Sequence, residues 1–557
     1  MSDPQAPQAG KDDVSFSTAP YDESKKSIDV AHLEHGASAA HHHTLEEIKE
    51  LDEAALVLEE AGSVQYTIAE DRRVLRKIDL WVLTPMLIVY FLQQMDKSSV
   101  SYASVFNLQA ETGLVGNQYA WLTSIVYVAQ LVFQPLSSFA LVKLPVGKWV
   151  LFNVFCWGCC VACMGAATNF NGLITARFFL GVFEATVAPS FIAITQMWWR
   201  RREQTYRTIS WNASNGFASI FGPLIAFGVG HVNNSKILPY QGIFIFLGCL
   251  TVACTPIVGY MLPDNPTTAR FLRNGNDRVI AIERLRSGNM GTENKIWKWT
   301  QFWETMRDVK TWLWALLLFL VACPSGGISA FGGLIVQGFG FDSFTTILFQ
   351  MPFGGITVLS IAVSSWVTNK IKLRFPVIAF MALFPIAGAV AIRQLPRNNQ
   401  AGLLVAYYMV SFLGCLQPLL YSWSNLNASG HTKKVTTTAV LFVAQCVGNI
   451  VGPQVYLAQE KPFYYTGIAV DLGCWCALIF VIFGTAAYLH YLNKKQEKRR
   501  LAAGRPGHVV DTSIMTLEEA EKHREHQIAT GQVEINTNDH AFEDLTDFQN
   551  MDFMYVL

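Results

Sequence analysis

The sequence predicts an all-α integral membrane protein with twelve transmembrane helices arranged in two six-helix halves. Hydrophobic residues make up 51% of the 557 residues and charged residues only 15%. The apolar residues gather in runs of about 20, the length of helix that crosses a bilayer. A long polar connection in the middle of the chain separates six of these runs from the other six.

Composition argues against several other classes of protein. Lys and Arg number 42, and Asp and Glu also number 42, so the net charge is zero. The sequence therefore lacks the positive charge that would indicate a nucleic-acid partner. All 11 Cys lie in apolar segments, so a disulfide scaffold is not expected. Four of them, from Cys156 to Cys163, have spacing that suggests a metal site, but we interpret them as small residues at a helix contact. Because no nucleotide-binding loop or nucleophile arrangement appears, we expect neither an enzyme nor a cofactor other than a coupling proton.

The chain begins and ends with polar tails. We expect residues 1–77 to form a largely disordered cytosolic tail, because residues 1–43 have no apolar core, and we do not expect His41–His43 to be metal ligands. Thr44 and Glu47 form a capping box for an acidic helix within it. The C-terminal tail, residues 493–557, begins with a basic cluster. Three alternatives are open for it: contact with the inner face of the protein, contact with anionic lipid, or full solvation.

Two six-span halves, residues 78–262 and 312–492, lie between the tails. Lys and Arg are concentrated in the connections after even-numbered spans, so the positive-inside rule places both termini in the cytosol. Asn233–Ser235 matches a glycosylation sequon on the predicted outer side. The twelve spans are predicted near residues 80–102, 118–141, 147–168, 171–197, 208–230, 240–262, 312–336, 343–367, 373–393, 402–423, 435–457 and 466–491.

The central connection, residues 263–311, contains a short amphipathic pattern. Val279, Ile282 and Leu285 fall on one helical face, with Arg278 and Arg286 around them. This pattern predicts a helix at the membrane interface. A solvated linker is the alternative.

Four charged residues inside apolar spans are the candidate functional site. Arg177 and Glu184 lie seven residues apart in span four, nearly two helical turns, and so share one face. A charge at bilayer depth costs roughly 3 kcal/mol or more, so it normally faces a partner or a water-filled path. We predict that Arg177 binds an anionic substrate, with Lys97 as second choice, and that Glu184 carries the coupling proton, with Asp96 as second choice. The alternatives are a structural pair in span four, a Lys97 that reaches the outer interface, and an Asp96 that pairs with Lys97.

Uncharged residues in other spans are predicted to complete the pathway. Gln337 in span seven and Tyr421 in span ten are candidate pocket residues. Gly-Pro pairs in spans five and eleven form a faint internal repeat and loosen the helix at corresponding places. The predicted gating or packing residues are Asn215, Gly222, Pro223, Asn449, Gly452 and Pro453.

Several separate motifs are spread along the chain from about Ile78 to the C-terminus. They are Met95-Asp96-Lys97, Arg177–Glu184, Leu262–Pro266, Ile282–Arg286, Asn427–Gly430, Gly448–Gln454 and the ending Asp544–Tyr555. Together these motifs resemble those of the fungal allantoate permease family, in the anion:cation symporter branch of the major facilitator superfamily. One departure is the segment Phe139–Lys148, which lacks the Asp usual in the superfamily's second loop, so no gating salt bridge is expected there.

The resemblance implies proton-coupled uptake of a small organic anion by alternating access. Ureides such as allantoate, vitamins such as nicotinate or pantothenate, and related acids are the substrates of such families. We expect a monomer in the plasma membrane, with a vacuolar or other organellar membrane as the alternative. A nutrient receptor with a transporter fold, and an exporter or organellar carrier of the same substrates, are the competing functions.

Overall fold

The computed structural model describes residues 67–232, 237–266, 268–272, 276–286, 297–504, 545–551 and 553–557. Three sequence predictions lie outside these residues: disorder before Thr67 with its histidine run, the capping box at Thr44, and the sequon at Asn233.

Twelve membrane crossings are built from helices in the described part of the chain. Eleven of these segments are long and apolar enough to span a membrane. The remaining one is span one, whose Asp96, Lys97 and serines make it more polar, although its 22 residues give about 33 Å of helix. The helices of spans one to twelve are Thr84–Val105, Gln118–Lys143, Val146–Met164, Phe170–Glu184 with Val187–Trp198, Arg201–Gly230, Pro239–Met261, Val309–Gln337, Ser343–Leu348 with Gln350–Ile371, Phe375–Gln394, Gln400–Val410 with Leu413–Leu426, His431–Gln454 and Tyr465–Ala502.

Spans four and ten, which occupy equivalent places in the two halves, both break near their middle. Span four stops at Glu184 and restarts at Val187, and span ten stops at Val410 and restarts at Leu413. Pro189 accounts for the first break, because its ring removes a backbone donor and crowds the carbonyl four residues before it. Only in span four does a charged residue end the first segment.

We call the side that carries the helix Ile68–Ile78, the central connection and the C-terminal segment the tail side, and the opposite side the gate side. The helix Ile68–Ile78 begins at a capping box, in which the Thr67 N–H donates to Glu70 Oε2 over 2.8 Å. It continues through a π-helix, Asp79–Leu83, into span one. Ordered helix therefore begins about ten residues before the predicted first half.

Contacts between the two halves cluster on the gate side. The Tyr119 hydroxyl of span two donates to the carbonyl of Ala330 over 2.7 Å, and Ser343 donates to the carbonyl of Val105 over 2.9 Å. These contacts close the gate side. Further contacts across the same boundary are Gln454 to Ser124, Ser124 to the Ile450 carbonyl, and the ring pairs Phe106–Phe344, Phe227–Phe344 and Tyr119–Phe331.

The first helix of the central connection, Asp277–Arg286, packs on the first half. Arg284 forms ion pairs with Asp71 over 2.7 Å and with Glu203 over 2.9 Å. Asp277 pairs with Lys77 over 2.5 Å and with Arg73. Burial raises the pKa of Asp277, but these two cations outweigh it and hold the pKa below its ordinary value.

The buried residues of this helix match the predicted apolar face only in part. Ile282 of that face is buried and Val279 is half-buried. Asp277, Ile280, Ala281 and Arg284 are buried as well, and the two charged ends find partners on the protein. Contact of this helix with the membrane interface stays a prediction. The second helix, Trp299–Arg307, lies instead against the second half, where Glu304 pairs with Lys433 over 2.9 Å.

The C-terminal segment, residues 545–551 and 553–557, packs against the tail side of the second half. Asp547 is fully buried and pairs with Lys433 over 2.8 Å and with Lys310. The Val556 N–H donates to Asn427 over 2.8 Å. Burial raises the pKa of the Asp547 carboxyl, but the two ammonium groups outweigh it and hold the pKa below its ordinary value. Of the three alternatives for this tail, which were contact with the inner face of the protein, contact with lipid and full solvation, these residues show contact with the protein.

Candidate functional site

Span four brings Arg177 and Glu184 into the interior on one face. Each is 2% exposed. Gly181 lies between them, where an added Cβ would be 2.5 Å from the Val126 carbonyl oxygen of span two. A larger residue at this position would push span four away from span two. The glycine therefore helps to set the depth at which both charges lie.

Glu184 is the residue on which spans one, two and four converge. Its Oε1 lies 3.5 Å from Lys97 Nζ, and its Oε2 accepts a hydrogen bond from Gln130 over 3.0 Å. Because 3.5 Å is longer than a charge-assisted hydrogen bond, this ion pair is loose. Lys97 also keeps 26% of its side chain exposed, against 1% for Glu184. The structure thus pairs Glu184 with Lys97, and Lys97 does not reach the outer interface.

Asp96 points to a different set of partners from its neighbour Lys97. Its Oδ2 accepts from the Trp157 indole over 2.5 Å and from the Thr251 hydroxyl over 3.2 Å. These two residues come from spans three and six. Asp96 Oδ1 has no hydrogen-bond partner among the described residues. Asp96 is therefore held by neutral donors and does not pair with Lys97.

Arg177 is the buried cation of the cluster with an unused donor. Its Nε has no hydrogen-bond partner among the described residues. A buried donor left unpaired costs roughly 1–3 kcal/mol, and more when the group is charged. The arrangement around Arg177 therefore favours an additional acceptor at this position.

The charges of the cluster balance when all four groups are ionised. Asp96 and Glu184 contribute two negative charges, and Lys97 and Arg177 contribute two positive ones. An entering monoanion would leave one excess negative charge in a poorly solvated site. Binding one proton restores the balance, so this set of residues can couple an anion to a proton.

The second half supplies neutral polar groups in the predicted pocket region. Tyr421 donates its hydroxyl proton to Gln445 Oε1 over 2.7 Å, and Asn449 Nδ2 donates to the Gln445 carbonyl over 2.9 Å. Gln337 lies elsewhere. It reaches the Val105 carbonyl over 3.4 Å at the gate side, so the structure separates it from the four charged residues.

The predicted gating and packing residues lie where helices approach closely. A Cβ at Gly222 would be 2.7 Å from the Tyr102 hydroxyl, and one at Gly452 would be 2.0 Å from the Cys323 carbonyl oxygen. Pro223 lies inside a continuous helix, whereas Pro453 lies in the last turn of span eleven. Both glycines thus pack tightly against a neighbouring span. The gating role stays a prediction for these two glycines and for the four remaining candidates, Asn215, Pro223, Asn449 and Pro453.

Sequence reasoning missed several residues that the structure places in or near functional positions. Gln93 is buried and its side chain hydrogen-bonds with Glu184. It lies one helical turn before Lys97, a spacing that could have identified it. Trp157 and Thr251 carry no such signal, since either could equally face lipid. Asp471 is the one carboxyl in the apolar part of span twelve, and a charge inside an apolar run is by itself a sign of function.

Comparison with known proteins identifies the family. Residues 86–453 match the Major Facilitator Superfamily. An uncharacterized transporter of Schizosaccharomyces pombe is 34% identical over 78% of this chain and 82% of its own length. The allantoate permease of Saccharomyces cerevisiae is 29% identical over 91% and 90%, and that yeast's high affinity cysteine transporter is 28% identical over 89% and 93%.

A solved structure supports the same fold. A bacterial homolog of the human lysosomal transporter Spinster, in an inward-facing and occupied conformation, has a TM-score of 0.55 at 13% identity and covers 73% of this chain and 95% of its own. Together with the helical architecture, these matches make the chain a multi-pass membrane transporter and not an enzyme. The chain belongs to the Major Facilitator Superfamily, as an allantoate-permease-like member of its fungal transporters.

Proposed function

We propose that this transporter imports a small organic anion together with a proton by alternating access. The observation that carries the proposal is the loose Lys97–Glu184 ion pair beside the unpaired donor of Arg177. Arginine stays charged when dehydrated and offers two parallel donors to a carboxylate. The substrate carboxylate binds Arg177 and Lys97 together.

Competition for Lys97 supplies the coupling. A substrate carboxylate that binds Lys97 displaces Glu184, which then lies as an unpaired charge in a poorly solvated site. Protonation of Glu184 removes that charge, so anion and proton bind more favourably together than apart. Asp96 remains the second candidate for a proton, because its Oδ1 also lacks a partner among the described residues.

The tail side is assigned to the cytosol and the gate side to the exterior of the cell. The excess of Lys and Arg in the tail-side connections supports this orientation. In this orientation, the closed gate side separates the charged cluster from the exterior in the conformation described here. A single chain in the plasma membrane is the working unit, because the two halves together enclose one pathway.

The substrate class follows from the cations of the site and from the relatives. Allantoate carries a carboxylate, which suits Arg177 and Lys97. We include ureides and vitamin carboxylates such as nicotinate and pantothenate. Cysteine, which the name of another relative suggests, offers the same carboxylate although it is a zwitterion without net charge. One proton with a monoanion moves no net charge, so the driving force is about 1.4 kcal/mol per pH unit. A second proton would add roughly 2.3 kcal/mol per 100 mV of membrane potential.

Uptake in cells that lack their own carriers tests the proposal. Labelled allantoate, nicotinate, pantothenate, biotin, cysteine and a dipeptide are offered at external pH 5 and 7.5, with and without a protonophore. We expect one compound to accumulate more at pH 5 and to lose its accumulation when protonophore is present. A protein that reaches the surface but accumulates none of them would contradict the proposal and favour a receptor, an exporter or an organellar carrier.

A further inference from the structure

A further buried carboxyl, far along the chain from the charged cluster of the first half, lies near the gate side of the second half. Asp471 is 1% exposed and stands six residues after the start of span twelve at Tyr465. Its Oδ2 accepts a hydrogen bond from the Tyr456 hydroxyl over 2.6 Å. Its Oδ1 has no hydrogen-bond partner, and the residue forms no ion pair among the described residues.

The groups around Asp471 do not supply a positive charge. Span seven contributes the thiol of Cys323, span twelve that of Cys474, and the residues after span eleven the Tyr456 hydroxyl. Span nine also packs on span twelve, and its one charged residue, Arg393, is exposed. An ionised carboxylate enclosed at membrane depth without a cation is strongly unfavourable. Asp471 is therefore a neutral carboxylic acid in this conformation. Its proton is on Oδ1, because Oδ2 accepts the hydrogen bond from Tyr456.

Asp471 is connected to the gate by a short series of aromatic contacts. The Tyr456 ring stacks on Phe331 with centroids 4.9 Å apart and an interplanar angle of 11°. Phe331 meets the ring of Tyr119 edge to face at 5.1 Å. Tyr119 belongs to the first half and donates to the Ala330 carbonyl across the gate. The Asp471 carboxyl thus holds the Tyr456 ring, and this ring supports Phe331, which belongs to the second half and contacts Tyr119 at the gate.

Tyr456 has little freedom to move without affecting these contacts. An added Cβ at Gly327 would be 2.4 Å from the ring, and one at Gly467 would be 2.7 Å from it. Opening the gate separates Tyr119 from Phe331 and disturbs the stack behind it. Water that enters there can solvate an ionised Asp471, which the closed gate does not allow.

We propose that Asp471 is a second proton-binding site, occupied while the gate side is closed and emptied when that side opens. The proton comes from gate-side water onto the carboxyl and returns to the same water, so this site itself carries no net proton across the membrane. Because binding of the proton and closure of the gate favour each other, acid on the gate side promotes closure. In an importer, that is the direction in which a loaded carrier must turn.

The test measures gate opening directly and needs no substrate. Val105 is fully buried at the gate, so a Val105→Cys variant reacts with a maleimide only when the gate opens. Val115 is 69% exposed, and Val115→Cys reports the intrinsic pH dependence of thiol reactivity. The purified full chain in nanodiscs is labelled at pH 5 and pH 8, and the Val105 rate is divided by the Val115 rate. The chain with only its native cysteines supplies the background.

The ratio is expected to rise about fivefold or more from pH 5 to pH 8. Asp471→Asn cannot ionise, so its ratio should stay low at both pH values. Tyr456→Phe keeps the stack but removes the hydrogen bond, so its ratio should be higher at pH 5 while the dependence on pH remains. This second variant keeps the test usable if Asp471→Asn does not fold.

An Asp471→Asn ratio that changes with pH as much as the parent ratio would overturn the proposal. The same conclusion follows if Glu184→Gln, and not Asp471→Asn, removes the response, since the titrating group would then lie in the first half. Failure to find a transported substrate leaves this measurement unaffected, so the two proposals fail separately.

Discussion

The two halves of the transporter repeat one helical arrangement but carry different chemistry. Spans four and ten break at equivalent places, yet only span four ends its first segment with a charged residue, Glu184. The first half places two acids and two bases within the membrane. In the second half, ion pairs such as Lys433–Asp547 lie on the tail side, and the one interior acid, Asp471, lacks a cation among the described residues.

The difference suggests a division of work between the halves. A site that binds an anion and a proton together needs charged groups that can exchange partners. The first half has such groups in Lys97 and Glu184, whose Nζ and Oε1 atoms are 3.5 Å apart. The second half presents neutral donors to the pathway and fixes its tail-side helix ends with the C-terminal segment. Coupling is therefore expected to depend on the first half, and mechanical integrity on the second. Each prediction below tests one side of this comparison.

Replacement of Glu184 should have the largest effect on function. Glu184→Gln keeps the hydrogen bond with Gln130 but cannot exchange a proton. Accumulation of substrate against its gradient should be lost, while exchange of substrate between the two sides persists. Paired uptake and exchange measurements in proteoliposomes check this. Retention of protonophore-sensitive accumulation would move the coupling role to another carboxyl and weaken the comparison.

Removal of the Asp547 charge should release the C-terminal segment. Asp547→Asn removes the carboxylate that both Lys310 and Lys433 contact, although Asp308 remains 3.5 Å and 3.0 Å from the two ammonium groups. Because a hydrogen bond to a charged group is worth roughly 1.5–3 kcal/mol, amide hydrogens of residues 553–557 should then exchange about 10- to 100-fold faster, as measured by mass spectrometry. Asp342→Asn, an acid on the gate side, is the control and should leave that exchange unchanged. Equal protection in both variants would mean that packing alone holds the segment.

Replacement of Arg177 by lysine separates charge from geometry. Lysine keeps the positive charge but loses the two-pronged fit, so KM for the anion should rise about tenfold or more. Arg393→Lys, an exposed change in span nine, is the matched control and should leave KM as it is. An unchanged KM in Arg177→Lys would mean that Lys97, and not Arg177, binds the substrate carboxylate.

The sequence predicts the charged positions well and their pairing poorly. Arg177 and Glu184 stand out because charge is expensive inside an apolar run, and the same reasoning applies to Asp471. Whether Glu184 meets Arg177 or Lys97 depends on how spans one and four pack, which no local pattern encodes. Gln337 illustrates the same limit, since its polar character fits both a pocket and the gate contact at which it lies.

The C-terminal segment shows a second kind of limit. Its composition is polar and suits a solvated tail as well as a docked one. The decisive contact joins Asp547 to Lys310, which lies 237 residues earlier in the chain. Resemblance to a family ending marked the segment as notable without indicating where it binds. The break in span four was not predicted, because Pro189 has a physical tendency to interrupt a helix but Pro223 lies inside a continuous one.

Loss of one hydroxyl in the second half should have a small effect. Tyr421→Phe removes the bond to Gln445, worth about 1 kcal/mol, so KM should change by roughly two- to tenfold. Tyr408→Phe removes a similar bond to the Phe349 carbonyl, outside the predicted pocket, and should leave KM unchanged. An effect of Tyr421→Phe as large as that of Arg177→Lys would mean that both halves bind substrate equally.

The smallest expected effect is that of pH on docking of the C-terminal segment. The pKa of Asp547 lies below its ordinary value of about 3.9, so its stabilising contribution is complete above that value and is lost as pH falls through the lowered pKa. Burial, with the neighbouring carboxylate, raises the pKa of Tyr555, so that hydroxyl also stays neutral. Exchange of residues 553–557, corrected for intrinsic rates, should be equal at pH 6 and pH 8. Release within that range would mean that another group titrates in the cluster, and the tail side would then respond to cytosolic pH.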